Sequence, residues 1–308
     1  MKVLIVGAGA IGGYFGARLL EAGADATFLV RPQRAARLRQ GLSVRSRFGD
    51  IALAAPPTVT ADRLQKGFDL VLLSCKAYDL AGAIDSFAPA VDAQTLVLPL
   101  LNGMRHLDVL AERFGAQHLL GGQCQIAATV GEDGNIVHLN DTHLLSFGEL
   151  GGPRTPRAEA IQAVFSKARF DARLSDAILQ EMWEKWVFIS ALAASTCLMR
   201  GAIGDIARAG HADLARRMLR ECAAIADAQG FAPRAQALAK AEAVLTDENS
   251  PMTASMLRDI ERGARTEGDH IIGDLLGRQR APAPELSLLA VAHAHLKTYE
   301  QRRARAPA

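Results

Sequence analysis

A glycine motif near the first residues constrains the fold more than any other feature. The segment GAGAIG, residues 7–12, has GxGxxG spacing and lies between a strand-like run, KVLIV, and a helix-like stretch near residues 10–22. In this setting the first glycine permits a tight turn, the second lets the backbone approach a pyrophosphate and the third lets the helix pack on the strand. Unpaired N–H groups at the helix N-terminus would favour the phosphate charge. We therefore predict a dinucleotide site formed by Gly7, Ala8, Gly9, Ala10, Ile11 and Gly12.

Alternating strand-like and helix-like segments follow this motif. The apolar runs ATFLV, LVLLS and TLVLP alternate with helix-like segments near residues 32–40, 78–89 and 105–114. Val and Leu at consecutive positions are typical of strands that are covered on both faces. The alternation predicts right-handed βαβ units and a parallel sheet. Within residues 122–148, GNIVHL and HLLSFGEL are expected to form antiparallel strands that close this sheet.

The pattern changes after a last strand candidate, RFDARL. From about residue 176 the chain is rich in alanine, leucine and arginine at helical spacing. We predict an α/β fold with an N-terminal Rossmann dinucleotide-binding domain, residues 1–175, followed by an all-helical domain, residues 176–308. One helix is expected from about residue 177 to 199. A second is expected to start with Ser250 as N-cap and Pro251 at its first position and to run through the charged segment that follows.

Composition excludes several classes of protein. A content of 49% hydrophobic and 22% charged residues indicates a globular chain with a sizeable core. The net charge of +2 gives no reason to expect a nucleic-acid or membrane partner. Arg18 interrupts the apolar run at the N-terminus, which argues against a signal peptide, and no other segment is long and apolar enough to span a membrane. The four cysteines, Cys75, Cys124, Cys197 and Cys222, lack the spacing of metal ligands or of a disulfide framework. We therefore expect no bound metal, and we expect the protein to be in the reducing cytoplasm.

The end of the second strand decides which dinucleotide is expected. Proteins that bind NAD usually carry an acid there for the ribose 2′-hydroxyl, whereas this chain has Arg31, with Arg34 nearby. Asp25, the only acid within reach in the sequence, lies at the opposite end of that strand. A guanidinium pairs with a 2′-phosphate, so we predict NADPH. The alternative is that Arg31 is a solvated loop residue.

Two polar residues follow consecutive predicted strands. Lys76 lies in SCKAYD and Asn102 in LLNGMR. Ligands collect at the carboxyl ends of strands in open α/β sheets, and the shared position of these residues favours a site. Singly, Lys76 could be a surface residue at a helix start, and Asn102-Gly103 a simple turn.

A lysine in an otherwise apolar helix is the third candidate. Lys185 begins a face that continues with Phe188, Ile189, Leu192, Ala193 and Thr196, so it faces either a core or a pocket. The plain alternative is a surface pair with Glu181, four residues earlier. In the second predicted helix Ser255 and Asp259 share a face, and Glu267 follows two turns later.

These segments together resemble one family. In order along residues 1 to about 280, GAGAIGG, SCKAYD with Lys76, LLNGMR with Asn102, WEKW with Lys185 and SMLRDIERGARTEGD resemble the ketopantoate reductase (2-dehydropantoate 2-reductase) family. The resemblance implies a Rossmann domain and an all-helical domain of the 6-phosphogluconate dehydrogenase type. It implies NADPH-dependent reduction of ketopantoate, a small 2-oxo acid, to pantoate in pantothenate biosynthesis.

The resemblance also implies residue roles. Lys185 matches the family's proton donor and Glu267 an acid at the nicotinamide end of the site. Lys76 and Asn102 match residues around the nicotinamide ribose and the substrate. Ser255 matches a residue that contacts the substrate, and Arg31 matches one that contacts the 2′-phosphate. Ala128 matches a residue whose backbone contacts the cofactor.

The chain departs from the family at the substrate. Ile189 and Ala193 replace two asparagines that bind the substrate, a third asparagine is replaced near Ile203, and Gly268 and Ile272 replace isoleucine and asparagine. A less polar 2-oxo acid or ketone is therefore an alternative substrate, with Thr196 or Arg200 as open candidates for the lost contacts. A further alternative is a sensor that binds NADPH without turnover, although the retained Lys185 and Glu267 argue against it. The oligomeric state stays open, with a homodimer as one option.

Overall fold

The chain folds into two compact units. The computed structural model describes residues 1–280 and 286–305. Contacts between Cα atoms define one unit of residues Met1–Leu101 and His106–Leu179, and a second that contains Asn102–Arg105 and the chain from Gln180 onward. The expected domain boundary between residues 175 and 176 stays a prediction.

The first unit is built on a five-stranded parallel sheet. Its strand order is β5-β2-β1-β6-β7, and every neighbouring pair is parallel. The four predicted strands are confirmed, and β5 is a fifth that the sequence pattern did not predict. The strands are β1 (Lys2–Val6), β2 (Asp25–Leu29), β5 (Thr58–Val59), β6 (Leu70–Leu73) and β7 (Leu96–Pro99).

Helices cover this sheet on both faces. Successive side chains of a strand point to opposite faces, and Val3 and Ile5 belong to one buried cluster while Leu4 and Val6 belong to another. This explains why the strand sequences are apolar at every position. The predicted helices of the unit are confirmed within a few residues as α1 (Ala10–Glu21), α2 (Pro32–Leu38), α3 (Leu80–Phe87) and α4 (Arg105–Phe114), and α5 (Pro156–Phe165) follows later.

Two smaller sheets complete the first unit, so the expected closure of the main sheet is wrong in its detail. One has the order β4-β3-β10-β9 and the other β12-β11-β8. Within the residues that the structure describes, one isolated parallel bridge, Val97 with Leu119, joins the main sheet to the chain leading into β8. The strands concerned are β3 (Leu42–Arg45), β4 (Ile51–Leu53), β8 (Leu120–Gln125), β9 (Ala128–Val130), β10 (Ile136–His138), β11 (Leu144–Glu149) and β12 (Asp171–Leu174).

The cause of that error is the pairing of GNIVHL. Its strand β10 pairs in parallel with β3, which the sequence pattern did not predict, as well as antiparallel with β9. HLLSFGEL forms β11, which pairs antiparallel with β8 and parallel with β12, the predicted RFDARL strand. Both segments thus form antiparallel strands, as predicted, but each also pairs in parallel with a second strand.

The second unit consists of helices and loops, with no strand among the residues that the structure describes. The long predicted helix is confirmed as α6 (Ile178–Met199), which begins at the end of the first unit. No single helix within residues 1–280 and 286–305 is long and apolar enough to cross a membrane, and α6 meets that test only as part of a bent pair with the chain up to Ala228. The other helices are α7 (Ile203–Ile206), α8 (Ala212–Ala228), α9 (Ala235–Leu245), α10 (Ser255–Glu261), α11 (Asp274–Gly277) and α12 (Leu288–Arg305).

The second predicted helix is shorter and broken, so that prediction is wrong in its bounds. It begins as α10 at Ser255 rather than at Pro251, because the carbonyls of Ser250 and Met252 accept hydrogen bonds from the start of α7. It ends at Glu261, and Gly263 has a φ of +67° that no helix continues through. Helical structure resumes in a wide turn, Asp269–Gly273, that leads into α11. Asp259 and Glu267 therefore do not share one continuous helix.

Candidate active site

The glycine motif forms the turn between β1 and α1. Gly7 has a φ of +93°, a conformation that side chains disfavour, and Gly9 is the N-cap of α1. A Cβ added at Gly12 would overlap the Gly7 carbonyl oxygen and the Ser74 hydroxyl. Gly7 and Gly12 are therefore required by the fold itself.

Gly9 differs because no described residue fills the space beside its Cα atom. It is exposed, and a Cβ added there would meet no atom within 4 Å. No side chain within the described residues caps the first turn of α1, and that turn carries no acid. An open approach and uncapped N–H groups are what a pyrophosphate needs. The loop fits a dinucleotide on geometric grounds.

Two side chains that the sequence analysis did not assign to the loop hold it in place. The Ser74 hydroxyl, directly after β6, donates to the carbonyl oxygens of Val6 at 3.1 Å and Gly7 at 3.4 Å. Arg34 donates from Nε to the Ala8 carbonyl oxygen at 3.2 Å. Burial lowers the pKa of Arg34, with Arg37 adding to the effect. Arg34 thus has a structural partner in the loop.

Arg31 is exposed at the N-cap of α2, two residues after the end of β2, and has an acidic partner. Its Nη2 lies 3.1 Å from Oδ1 of Asp79, in the short turn Ala77–Asp79 after β6. Asp79 is 48 positions away along the chain. The expectation that Asp25 is the only acid within reach of this end of β2 is therefore wrong, since that expectation considered sequence neighbours alone.

Lys76 and Ala128 occupy defined places in the first unit. Lys76 is half-buried and is the N-cap residue of the turn Ala77–Asp79. It follows β6 at the same offset as Asn102 follows β7, because Leu73 pairs with Pro99 in the parallel ladder. Ala128 is the half-buried first residue of β9, opposite His138 of β10.

Asn102 lies in the short segment that belongs to the second unit, next to a histidine that the sequence analysis missed. A Cβ added at Gly103, which has a φ of +80°, would lie 3.1 Å from Cδ2 of His270. The pKa of His270 is lowered by burial, while the Glu267 carboxylate, Asp274 and the Asn102 backbone oppose that shift and Arg105 adds to it. His270 therefore interacts with the Asn102 backbone and with the charge of Glu267. No motif in the sequence marked it.

Lys185 is half-buried on α6, and two tryptophans close to it in sequence are almost fully buried. Trp183 is 3% exposed and Trp186 is 1% exposed. Glu181, the partner in the alternative of a surface pair, is half-buried as well, and that alternative is not tested by these positions. A half-buried ammonium in an apolar helix is suited to proton donation if a substrate reaches it.

The turn that carries Lys185 is hydrogen-bonded to the segment that carries Glu267. Trp186 Nε1 donates to the carbonyl oxygen of Ile271 at 2.9 Å, and Ser190 Oγ donates to the same oxygen at 3.4 Å. The Ile271 N–H in turn donates to the carbonyl oxygen of Glu267, whose side chain is buried at 8% exposure. These hydrogen bonds connect the turn of Lys185 to the segment of Glu267. The two residues are 82 positions apart in the sequence. Ser255 is the exposed first residue of α10 and takes no part in the hydrogen bonds that connect Trp186, Ser190, Ile271 and Glu267.

The apolar replacements of the family asparagines have different surroundings. Ala193 is 2% exposed, and Ile203 and Ile272 are fully buried. Gly268 leaves room for α12, because a Cβ there would lie 3.1 Å from Cδ1 of Leu296. Only Ile189, one turn after Lys185, is half-buried. Of these positions, Ile189 is therefore the one placed to affect a ligand beside Lys185.

The open candidates for the lost contacts, Thr196 and Arg200, lie further along the chain from Lys185 and stay predictions. The Thr196 hydroxyl, fully buried, donates to the Leu192 carbonyl oxygen at 2.8 Å and accepts from the Ala254 N–H at 3.3 Å. At 1.5 Å per residue it is about 16 Å along α6 from Lys185, and Arg200 is more than about 20 Å away. Among the described residues there is also no cluster of three or more His, Cys, Asp or Glu that could hold a metal ion.

A parallel sheet with an open glycine turn, followed by a helical unit that presents a half-buried lysine, defines a dinucleotide-dependent oxidoreductase in two units. The family models named "Ketopantoate reductase PanE/ApbA" and "Ketopantoate reductase PanE/ApbA C terminal" match residues 3–152 and 177–300. The chain belongs to the ketopantoate reductase family, whose members bind NAD(P)H.

Individual relatives support this assignment. An oxidoreductase of Bacillus subtilis, YkpB, named as uncharacterized, is 34% identical over 302 residues, which cover 97% of this chain and 99% of the relative. A 2-dehydropantoate 2-reductase of Archaeoglobus fulgidus is 29% identical over 276 residues, covering 89% and 90%. A ketopantoate reductase of Ralstonia eutropha has the same fold, with a TM-score of 0.87, 26% identity and coverage of 99% and 100%.

Proposed function

We propose that the protein uses NADPH to reduce the 2-oxo group of a small 2-oxo acid, with Lys185 as proton donor and ketopantoate as the first substrate to test. The observation that carries this proposal is the half-buried Lys185, whose helical turn is hydrogen-bonded through Trp186 to the segment of Glu267. Family membership supplies the reaction class.

The proposed reaction is the transfer of a hydride to the carbonyl carbon and of a proton to the carbonyl oxygen. The reduced nicotinamide, when bound, supplies a hydride with its electron pair to the carbonyl carbon. The carbonyl π bond becomes a lone pair on oxygen, and the resulting alkoxide takes a proton from the Lys185 ammonium. Lys185 is then reprotonated from solvent. The products are the 2-hydroxy acid and the oxidised cofactor.

The other candidate residues have positioning roles in this proposal. Glu267 keeps the Lys185 ammonium charged and oriented and lies at the nicotinamide end. Lys76 and Asn102 bind the nicotinamide ribose and the substrate, Ser255 contacts the substrate and Ala128 offers a backbone group to the cofactor. The glycine loop, residues 7–12, binds the pyrophosphate through the uncapped N–H groups of α1.

Arg31 is proposed to bind the 2′-phosphate of NADPH. Its exposed guanidinium follows β2, where a dinucleotide presents its adenosine ribose. Arg31→Ala should weaken NADPH binding by about 1.5 to 3 kcal/mol, as expected for a lost charged hydrogen bond, and leave NADH binding nearly unchanged. Equal losses for the two cofactors in a binding titration would contradict this role.

A second candidate function is the reduction of a less polar 2-oxo acid or ketone. Ile189, one turn from Lys185 and half-buried, favours it because it offers no hydrogen bond to a substrate hydroxyl. Each lost hydrogen bond costs about 1 to 3 kcal/mol where the substrate group is left unpaired. Ketopantoate would then be a poor substrate and an apolar 2-oxo acid a good one.

One assay separates these functions from a sensor that binds cofactor without turnover. Oxidation of NADPH is followed by absorbance with ketopantoate, a branched aliphatic 2-oxo acid and an aromatic 2-oxo acid. Turnover of ketopantoate supports the first function and its proposed place in pantothenate biosynthesis. Turnover of the apolar acids alone supports the second, and tight NADPH binding with no turnover of any compound supports the sensor.

A further inference from the structure

The arginine that the proposed function assigns to the 2′-phosphate is paired with a carboxylate. Arg31 follows β2 and Asp79 follows β6, and these strands are the two neighbours of β1 in the sheet. Their 3.1 Å ion pair therefore spans the carboxyl end of β1, from which the glycine turn leaves. This is the edge of the sheet at which a dinucleotide lies.

The two groups of this pair favour different cofactors. A guanidinium binds a 2′-phosphate, whereas a carboxylate accepts a hydrogen bond from an unmodified ribose 2′-hydroxyl. The same carboxylate repels a phosphate, which carries nearly two negative charges at neutral pH. Arg31 alone would select NADPH and Asp79 alone would select NADH.

Both side chains are free to respond to a ligand. The Arg31 side chain is 81% exposed and that of Asp79 is 42% exposed. Exposed ion pairs contribute little to stability, so a phosphate can draw Arg31 away from Asp79 at small cost. With NADH, the ion pair can stay closed while Asp79 accepts from the 2′-hydroxyl through its other oxygen.

We propose that Asp79 is a specificity-determining residue that lets the protein accept NADH as well as NADPH. The inference rests on the proposed function in that it takes Arg31 to lie at the adenosine ribose. It goes beyond that function because the cofactor preference is then set by the balance between two residues, and Asp79 opposes the preference of Arg31.

Binding titrations of the purified protein with NADPH and with NADH, followed by nicotinamide fluorescence, test this role without any substrate. In Asp79→Asn the repulsion of a phosphate about 5 Å away is removed, so NADPH should bind about five- to twentyfold more tightly. NADH should bind about two- to tenfold more weakly, because the 2′-hydroxyl loses a charged acceptor. The gain for NADPH should shrink as salt is added.

Asp25→Asn is the matched control. Asp25 is exposed at the amino end of β2, so this variant removes the same charge at the opposite end of the strand and should change neither dissociation constant. The inference is overturned if Asp79→Asn leaves the ratio of the two constants unchanged, or if Asp25→Asn changes it equally. If the wild-type protein binds neither cofactor, the proposed function fails as well. If it binds and oxidises NADPH while Asp79→Asn has no effect, only this inference fails.

Discussion

The indole N–H of Trp186 donates to the carbonyl oxygen of Ile271 at 2.9 Å, and both residues are buried. Trp186 follows Lys185 in sequence, and Ile271 is one helical turn after Glu267. One hydrogen bond therefore fixes the position of the proposed proton donor relative to the proposed carboxylate partner.

Trp186→Phe removes the donor and keeps an aromatic ring. The buried carbonyl of Ile271 then depends on Ser190, at 3.4 Å, and the protein should lose about 1 to 3 kcal/mol of stability. We expect kcat to fall about tenfold because Lys185 is held less precisely, with an unchanged dissociation constant for NADPH. Trp183→Phe is the control, because Trp183 stacks on Phe231 and the hydrogen bond to Ile271 is made by Trp186. Equal kcat losses in the two variants would assign the effect to general packing.

Two alanine substitutions in the glycine loop should affect different properties, one the stability of the protein and the other its binding of NADPH. Gly12→Ala places a Cβ against the Gly7 carbonyl oxygen, a backbone atom, and overpacking of this kind costs about 1 to 3 kcal/mol. The melting temperature should therefore fall by several degrees. Gly9→Ala meets no protein atom, so the melting temperature should stay unchanged while NADPH binding weakens roughly five- to a hundredfold. Thermal denaturation and a binding titration distinguish the two, and unchanged binding in Gly9→Ala would place the pyrophosphate elsewhere.

Ile189→Asn should shift the substrate preference toward a polar 2-oxo acid. The half-buried position beside Lys185 can present an amide to a substrate hydroxyl, and one recovered hydrogen bond corresponds to about a tenfold gain in kcat/KM for ketopantoate. Ala193→Asn is the contrast, because that position is 2% exposed and a buried amide mainly lowers stability. If Ile189→Asn leaves the ratio of kcat/KM values for ketopantoate and an aromatic 2-oxo acid unchanged, Ile189 does not contact the substrate.

The buried histidines predict a loss of stability in weak acid. Burial lowers the pKa of His270 from its ordinary value of 6.5, and it also lowers the pKa values of His143 and His295. Below about pH 6.5 the unfolded chain therefore binds protons that the folded chain does not. The free energy of unfolding should be constant above that pH and fall as the pH drops through the folded-state pKa values.

Urea denaturation between about pH 7.5 and 5.5 measures this loss. His270→Gln removes one of the three groups, so its free energy of unfolding should depend less steeply on pH than that of the wild type. Carboxylates with lowered pKa values, such as Glu149 and Glu300, titrate in a more acidic range and do not interfere. Identical slopes for the two proteins would show that His270 does not contribute.

The sequence predicts local structure well and long-range contacts poorly. β1, the glycine turn and α1 were predicted because each is specified by neighbouring residues. The pairing of Arg31 with Asp79 was not, since the two residues belong to different loops that only the strand order β2-β1-β6 brings together. His270 was missed for the same reason, because its contact with the Asn102 segment depends on the fold.

The broken helix shows the same limit on a smaller scale. The charged segment after Ser250 has helical composition, but the hydrogen bonds of Ser250 and Met252 to the start of α7 delay the helix, and Gly263 ends it. The role of Glu267 was inferred from a family resemblance and not from its position. Its connection to the Lys185 turn through Trp186 and Ile271 could be found only in the structure.

The most direct test of the account is the turnover of Lys185→Ala. With NADPH and the best substrate of the panel, we expect kcat to fall by about 10² to 10⁴, the contribution of a positioned general acid. The dissociation constant for NADPH should stay within about threefold of the wild type, since Lys185 is not assigned to the pyrophosphate or the ribose phosphate. Lys240→Ala, an exposed lysine of α9, is the control and should retain full activity. A Lys185→Ala protein with near wild-type kcat would show that Lys185 does not supply the proton.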